Sequence, residues 1–590
     1  MRIRAPRGGC AFFTYHKSRI TNHELRPSLL KSATAGARLN RLNSTAPIRS
    51  RAAEEGSFQI PIWAIPFIPV LLYVCLFSGL SALGLTGPDE PRYAAIARAM
   101  AETHDWVTPR LWGAPWFEKP VLYYWTAGMA MRVFGVGEIA ARLPSALAAL
   151  LAVIAISWTA LRSYGVAAAW FSLLILPTTV AMIGFSRAAS PDMLFTGLLA
   201  TAMAVACEIL QKQRPGQLLR IAFGFFLGAA VLAKGPAAVI LAGGATLLWA
   251  ALSRQWRAPF RFLHPTIIAI FCATALPWYV LCALRNPDFL RVFIWQHNFQ
   301  RYLTPIFEHR QPFWFFGPIF LLGILPWLPL LFSAIADALS HWNFGQGKDS
   351  PTLFVACWAF FPLLFFSLSQ SKLPGYILPA VPPAALLIVR SCVRQFERKA
   401  VGTRLALATI GIVFPILLGI MSAKPALAFG PGIGINAHPI RGIQAALEAG
   451  IIGGTLVVAF ALYRKWNCAM CAVTCTVVIL LFIANHRVLP GVDAYVSVRP
   501  AAYSLINTFH PKSDEIAVCR MPRAYQYGLD YYFGSELPEW TSENSKARFL
   551  FCNRESLQDP LLSEMPGLAH TVAAGDGRIF FLVLHPMADK

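Results

Sequence analysis

The sequence predicts an all-α, polytopic membrane protein with a small α/β domain at its C-terminal end. Three observations carry that expectation. The 590-residue chain is 56% hydrophobic and only 14% charged, against roughly a quarter charged in a soluble domain. Its apolar residues come in repeated runs, and about 20 such residues suffice to cross a bilayer. Basic residues gather in alternate short loops between these runs, as the orientation of a multi-pass chain requires.

The formal charge of +22 would suit a nucleic-acid binder, but much of the excess lies in the first 51 residues and in the short loops. That placement reads as topology signal, and no nucleic-acid partner is expected. Residues 1–58 form a basic arm rich in Ser, Thr and Ala, without an apolar run. It is expected to be disordered and cytoplasmic. A transit peptide shares this acid-poor composition, whereas an extended start is the simpler expectation.

Residues 59–485 hold thirteen candidate spans, which makes this the transmembrane catalytic domain. The first is Ile60–Leu83; the others lie near 140–161, 166–185, 191–210, 218–233, 235–252, 264–284, 313–333, 352–369, 374–393, 404–422, 445–463 and 468–485. With a cytoplasmic N-terminus, the inside loops carry Arg162, Lys212, Arg214, Arg220, Arg254, Arg257, Arg261, Arg390, Arg394, Arg398, Lys399, Arg404, Arg464 and Lys465. Short outer loops offer Arg187, Lys234 and Lys372 only. Asp89, Glu118, Arg187, Asp192, His297 and Lys372 then share the outer face. An odd number of spans puts residues 486–590 outside as well. There the β-like runs Glu515–Cys519, Arg548–Cys552 and Ile579–Leu584 predict the α/β domain.

Most of the twelve cysteines sit inside apolar runs, where they serve as small hydrophobes. Cys468 and Cys471 form a CxxC without the βαβ context of a redox motif. Cys519 and Cys552 pair only if their strands are neighbours, which spacing leaves open.

The loop 85–137 gathers the chemistry. It presents Asp89, Glu90 and Arg92, then Glu118 and Lys119 among Trp112, Trp116, Phe117, Tyr123, Tyr124 and Trp125. Pro91 and the spacing Tyr93, Ile96, Met100 predict an interfacial helix that starts at Asp89, and helix capping alone would account for that residue. Its company argues for more, because a carboxylate cluster at a membrane surface is costly unless used or paired. Glu118-Lys119-Pro120 reads either as an aromatic belt with a snorkelling lysine or as a phosphate contact beside a carboxylate that binds a metal or positions substrate. Asp192 is open to the same capping explanation, and Lys234 and Lys372 to that of interfacial anchors. Together with Arg187 these lysines would make a cationic pocket for phosphate. His297 is isolated, with Arg301 four residues on. No phosphate-binding or dinucleotide glycine motif appears, so no nucleotide cofactor is expected.

The series PDEPRY, WFEKPVLYYW, SRAASPDMLF, AKGP, PWY with QHNFQRY, and SKLPGYILP resembles the ArnT-like lipid-linked glycosyltransferases, which are distantly similar to protein O-mannosyltransferases. The resemblance covers residues 60–390 and implies the GT-C fold. It implies transfer of a sugar, an aminoarabinose or another pentose or hexose, from a polyprenyl-phosphate donor to a lipid A-like or other envelope acceptor. It implies that Asp89, Glu118 and Lys119 are catalytic and that Asp192, Arg301, Lys372 and Tyr376 bind substrate; Glu90 and Arg92, beside Asp89 in the charged cluster, are expected to bind substrate as well. A divalent metal ion, held by Glu118 and His297, is the one cofactor it allows. The expected setting is the bacterial inner membrane, with the site on the periplasmic face and membrane lipids around it. A Ser/Thr-directed protein O-mannosyltransferase is the alternative; a lipid-linked sugar transporter fits less well, since the charges cluster at one surface rather than within spans.

Overall fold

Each of the thirteen predicted segments contains a helix among the described residues. The structure, a computed structural model, describes residues 64–303, 311–340, 351–398, 401–424, 442–541, 547–553, 568–573 and 579–586; the basic arm lies outside these. Among them, eight helices are long and apolar enough to cross a membrane: α4 Glu138–Tyr164, α7 Pro191–Gln211, α8 Gln217–Lys234, α10 Pro265–Arg285, α14 Pro374–Phe396, α15 Val401–Ala423, α16 Ile443–Leu462 and α17 Trp466–Val496. Two further spans are bent: α5 Val166–Thr178 with α6 Val180–Ser186, at 60°, and α11 Phe313–Ile324 with α12 Leu328–Leu339, at 112°. The remaining three, α1 Pro66–Phe77, α9 Ala237–Ser253 and α13 Pro351–Ser367, are shorter. The chain is an integral membrane protein. Lipid-facing residues such as Leu247, Ile412 and Phe482 stay exposed on the bundle surface, as the solvent of such a fold permits.

Close helix crossings rest on small residues. A Cβ on Gly411 would meet the Gly454 carbonyl oxygen at 2.5 Å, so α15 and α16 can approach as they do only where side chains are absent. Between α8 and α9 the chain turns at Gly235, whose φ of 81° suits glycine, and this leaves Lys234 as the last helical residue.

The two ends of the bundle carry different charges. At one end of α7, Asp192 is ion-paired with Lys234. At its other end Glu208 receives Arg162 at 2.8 Å and Lys212 at 3.0 Å, and Arg261 donates to the Lys212 carbonyl at 3.0 Å. Sixteen residues of helical rise separate the two acids, about 24 Å.

Two helices outside the span set shape the loop. Residues Asp89–Thr103 form α2 and Leu122–Phe134 form α3. The predicted stripe of α2 is buried, with Tyr93, Ile96 and Met100 all under 5% exposed. Asp89 and Glu90 in its first turn favour the helix dipole, and His104 ends it in the left-handed conformation. Between α2 and α3 lies a two-residue ribbon, β1 Arg110–Leu111 against β2 Ala114–Pro115.

The tail holds helices α18 Arg499–Phe509 and α19 Arg523–Phe533 with strands β3 Ile516–Cys519, β4 Phe549–Asn553, β5 Leu568–Ala573 and β6 Ile579–Pro586. Sheet order is β3-β4-β6-β5, with only β3 and β4 parallel. One face buries Ile516, Val518, Phe549, Phe551 and Phe581 against Leu505 and Leu529 of the helices. The tail is fastened to the loop by polar contacts. Asp493 accepts from the Gly84 N–H at 2.8 Å, the Tyr532 hydroxyl accepts from the Leu85 N–H at 3.1 Å, and Arg98 donates to the Tyr531 carbonyl at 3.1 Å. Arg499 donates to the Ser81 carbonyl at 2.8 Å while it pairs with Asp493 at 2.6 Å.

Candidate active site

Asp89 opens α2 but caps nothing. Its carboxylate, half exposed, takes Arg92 at 2.5 Å. Arg92 in turn reaches Glu118 at 3.1 Å, and Lys119 meets the other Glu118 oxygen at 3.2 Å. The Arg92 guanidinium stands over the Trp116 ring, 5.3 Å from its centroid. The aromatic belt and the charged motif are therefore one assembly. Burial works against the Arg92 charge, yet Glu118 and Asp89 outweigh it and hold the guanidinium above its ordinary pKa.

Glu118 and Lys119 open onto a cavity of about 400 Å³, lined also by Lys234, His297, Tyr302 and Tyr376. Phe293, Phe365 and Phe366 form its apolar wall, and Ser369 and Ser371 add hydroxyls. Lys234 lies 4.6 Å from the Tyr376 ring centroid and holds Asp192 behind it. Residues that stand at 118, 234, 297 and 376 in the sequence thus meet in one space. Two cations, an aromatic wall and hydroxyls suit the phosphate and first isoprene units of a lipid carrier.

Several expectations need correction. Glu90 does not face the cavity. It accepts from Arg142 at 2.7 Å, from the Ala189 N–H at 2.6 Å and from the Thr86 N–H at 2.8 Å. Burial would raise its pKa, but Arg142 and these N–H groups hold it below the usual carboxylate value. It braces the loop rather than a substrate. Lys372, buried, donates to the Ser369 carbonyl and shapes the wall from behind; burial lowers its pKa. Arg187 leaves the predicted cationic pocket, because it donates to the carbonyls of Cys75 at 2.6 Å and Val74 at 2.9 Å. Arg301 starts the turn Arg301–Leu303 beside the cavity; its side chain lies outside the described residues.

Sequence reasoning overlooked Arg142, which also donates to the carbonyls of Leu80, Leu83 and Gly84 at 2.7–2.8 Å. The signal was present: an arginine inside an apolar span demands a partner. Glu118 and His297 are the pair for a metal ion. They share the cavity, yet both Glu118 oxygens already face cations, and no group of three His, Cys, Asp or Glu residues is placed to hold a metal among the described residues. The donor set fits an anion better than a cation.

Comparison with known proteins identifies the family. Residues 66–293 match the family model described as dolichyl-phosphate-mannose-protein mannosyltransferase. An undecaprenyl phosphate-alpha-4-amino-4-deoxy-L-arabinose arabinosyl transferase of Aeromonas hydrophila is 31% identical over 413 residues, which span 69% of this chain and 71% of the relative. The enzyme of that name from Edwardsiella ictaluri is 28% identical over 498 residues, 78% of this chain and 87% of the relative. The crystal structure of ArnT from Cupriavidus metallidurans bound to undecaprenyl phosphate superposes with a TM-score of 0.70 at 22% identity, over 88% of this chain and 97% of that one; the two share a fold. The chain belongs to the family of the undecaprenyl phosphate-alpha-4-amino-4-deoxy-L-arabinose arabinosyl transferases, and it is an integral membrane glycosyltransferase.

Proposed function

We propose that the protein transfers a 4-amino-4-deoxy-arabinose-type sugar from a polyprenyl phosphate to a lipid A-like acceptor. The reaction takes place on the periplasmic face of a bacterial inner membrane. The observation that carries this reading is the shared cavity, in which Lys119 and Lys234 stand with Glu118, His297 and Tyr376 against an aromatic wall. The relatives' names supply the donor and sugar; the gathering of Glu118, Lys119, Lys234 and His297 about one cavity supports a single working face.

In this reading an acceptor oxygen attacks the anomeric carbon, with inversion, as the bond from that carbon to the carrier phosphate breaks. The electron pair leaves with the phosphate. Lys119 and Lys234 stabilise the charge that develops there, which is preorganised electrostatic catalysis. Glu118 holds Arg92 and Lys119 at fixed spacing. Asp89, the exposed member of the chain of pairs, orients the acceptor, or takes its proton where the acceptor is a hydroxyl. Asp192 sets Lys234 from behind.

The match to the mannosyltransferase family model favours one second reading, in which the acceptor is a Ser or Thr hydroxyl of a protein. Membranes given labelled polyprenyl-phosphate sugar separate the two: label in lipid supports the first, label in polypeptide the second. Asp89→Asn should abolish transfer while the protein stays folded and inserted. Near-normal turnover in that variant would refute the assignment.

A further inference from the structure

The tail contains two cysteines, Cys519 and Cys552. The structure places them at the same register position of neighbouring parallel strands, Cys519 on β3 opposite Cys552 on β4. Both are buried, at 5% and 0% exposure, on one face of the sheet with Ala517, Leu550 and Leu582. Paired residues of adjacent strands have Cα atoms about 5 Å apart, within the range a disulfide spans. The other described cysteines lie in the helices of the bundle.

We infer that Cys519 and Cys552 form a disulfide that cross-links β3 to β4 in the mature protein. This rests on the outer-face reading above, since such bonds persist in oxidising compartments. The bond forms while the tail folds, before the sheet closes, by exchange with a disulfide-bearing thiol oxidant. The Cys519 thiolate attacks one donor sulfur and expels the other as thiolate. The Cys552 thiolate then attacks the Cys519 sulfur, so the protein S–S bond forms and the second donor thiolate leaves. Two electrons pass from the cysteine pair to the donor, and the two thiol protons end on the donor thiols. Cross-linking matters for the site because β3 leads directly into α19, whose Tyr531 and Tyr532 hold Arg98 and Leu85.

The test uses the full chain in its own membrane. Thiols are blocked with a maleimide under denaturing conditions without reductant, and peptides are analysed by mass. A linked pair containing Cys519 and Cys552 is expected, lighter by two hydrogens than the separate peptides and released by reductant. In Cys519→Ser, Cys552 should become fully alkylated. A C-terminal reporter active only outside the cytoplasm reads the topology of the tail. Free thiols with the reporter active overturn the cross-link and leave the outer-face reading standing. Free thiols with the reporter silent overturn both.

Discussion

Arg92 reaches Glu118 from the first turn of α2 at 3.1 Å, and so ties the position of Asp89 to the wall of the cavity. Glu118 is the joint between the exposed carboxylate and the lysine that lines the cavity. Glu118→Gln keeps the shape but weakens its hold on both cations. Transfer should fall about 100-fold, the scale of losing one electrostatic group in an active site, with normal abundance in the membrane. Turnover of labelled donor measures it.

Glu90 and Arg142 form a second ion pair, buried where the first is partly open. Removing one partner of such a pair costs about 3–5 kcal/mol, because the other charge is left without compensation. Arg142→Met should therefore lower the amount of folded protein, seen as loss of the monodisperse peak in detergent. Glu118→Gln should leave that peak intact, and the contrast separates bracing from chemistry.

Transfer should continue at an unchanged rate after exhaustive chelation. Both oxygens of Glu118 already face cations, which competes with any metal ion held between Glu118 and His297. Activity lost in chelator and restored by a divalent ion would assign the pair to metal.

The tail should grow less stable as pH rises. Burial pushes Asp530 in α19 up from 3.8 to about 7, against the Leu537 N–H that it accepts. The folded state prefers its neutral form. Stability is full below about pH 4, falls as the unfolded chain ionises first, and levels off above about pH 7. The span corresponds to at most roughly 4 kcal/mol. Asp530→Asn should flatten the profile and raise the melting temperature at pH 8, as thermal unfolding of the full-length protein would record.

Local patterns carried much of this protein. Apolar runs announced the spans, and the 3.6-residue stripe of Tyr93, Ile96 and Met100 announced α2, because both periodicities are written in neighbouring residues. The span count put Glu118 and His297 on one face, but that they meet Tyr376 in a single cavity was not legible in their spacing. Arg142 was overlooked because its partners are more than 50 residues away, and neighbouring residues do not show which groups it will meet. Arg187 was read as a ligand for the same reason. Its true partners are carbonyls of α1, and no sequence pattern advertises a backbone acceptor.

The fastening of Gly84 and Leu85 joins residues 409 and 447 positions apart. A ribosome therefore makes the donor site early and the brace that steadies it last. A nascent chain with every span inserted still lacks Tyr532, and with it the hydroxyl that holds the Leu85 N–H. Sugar transfer should therefore begin only once the tail has been made and has folded against the loop.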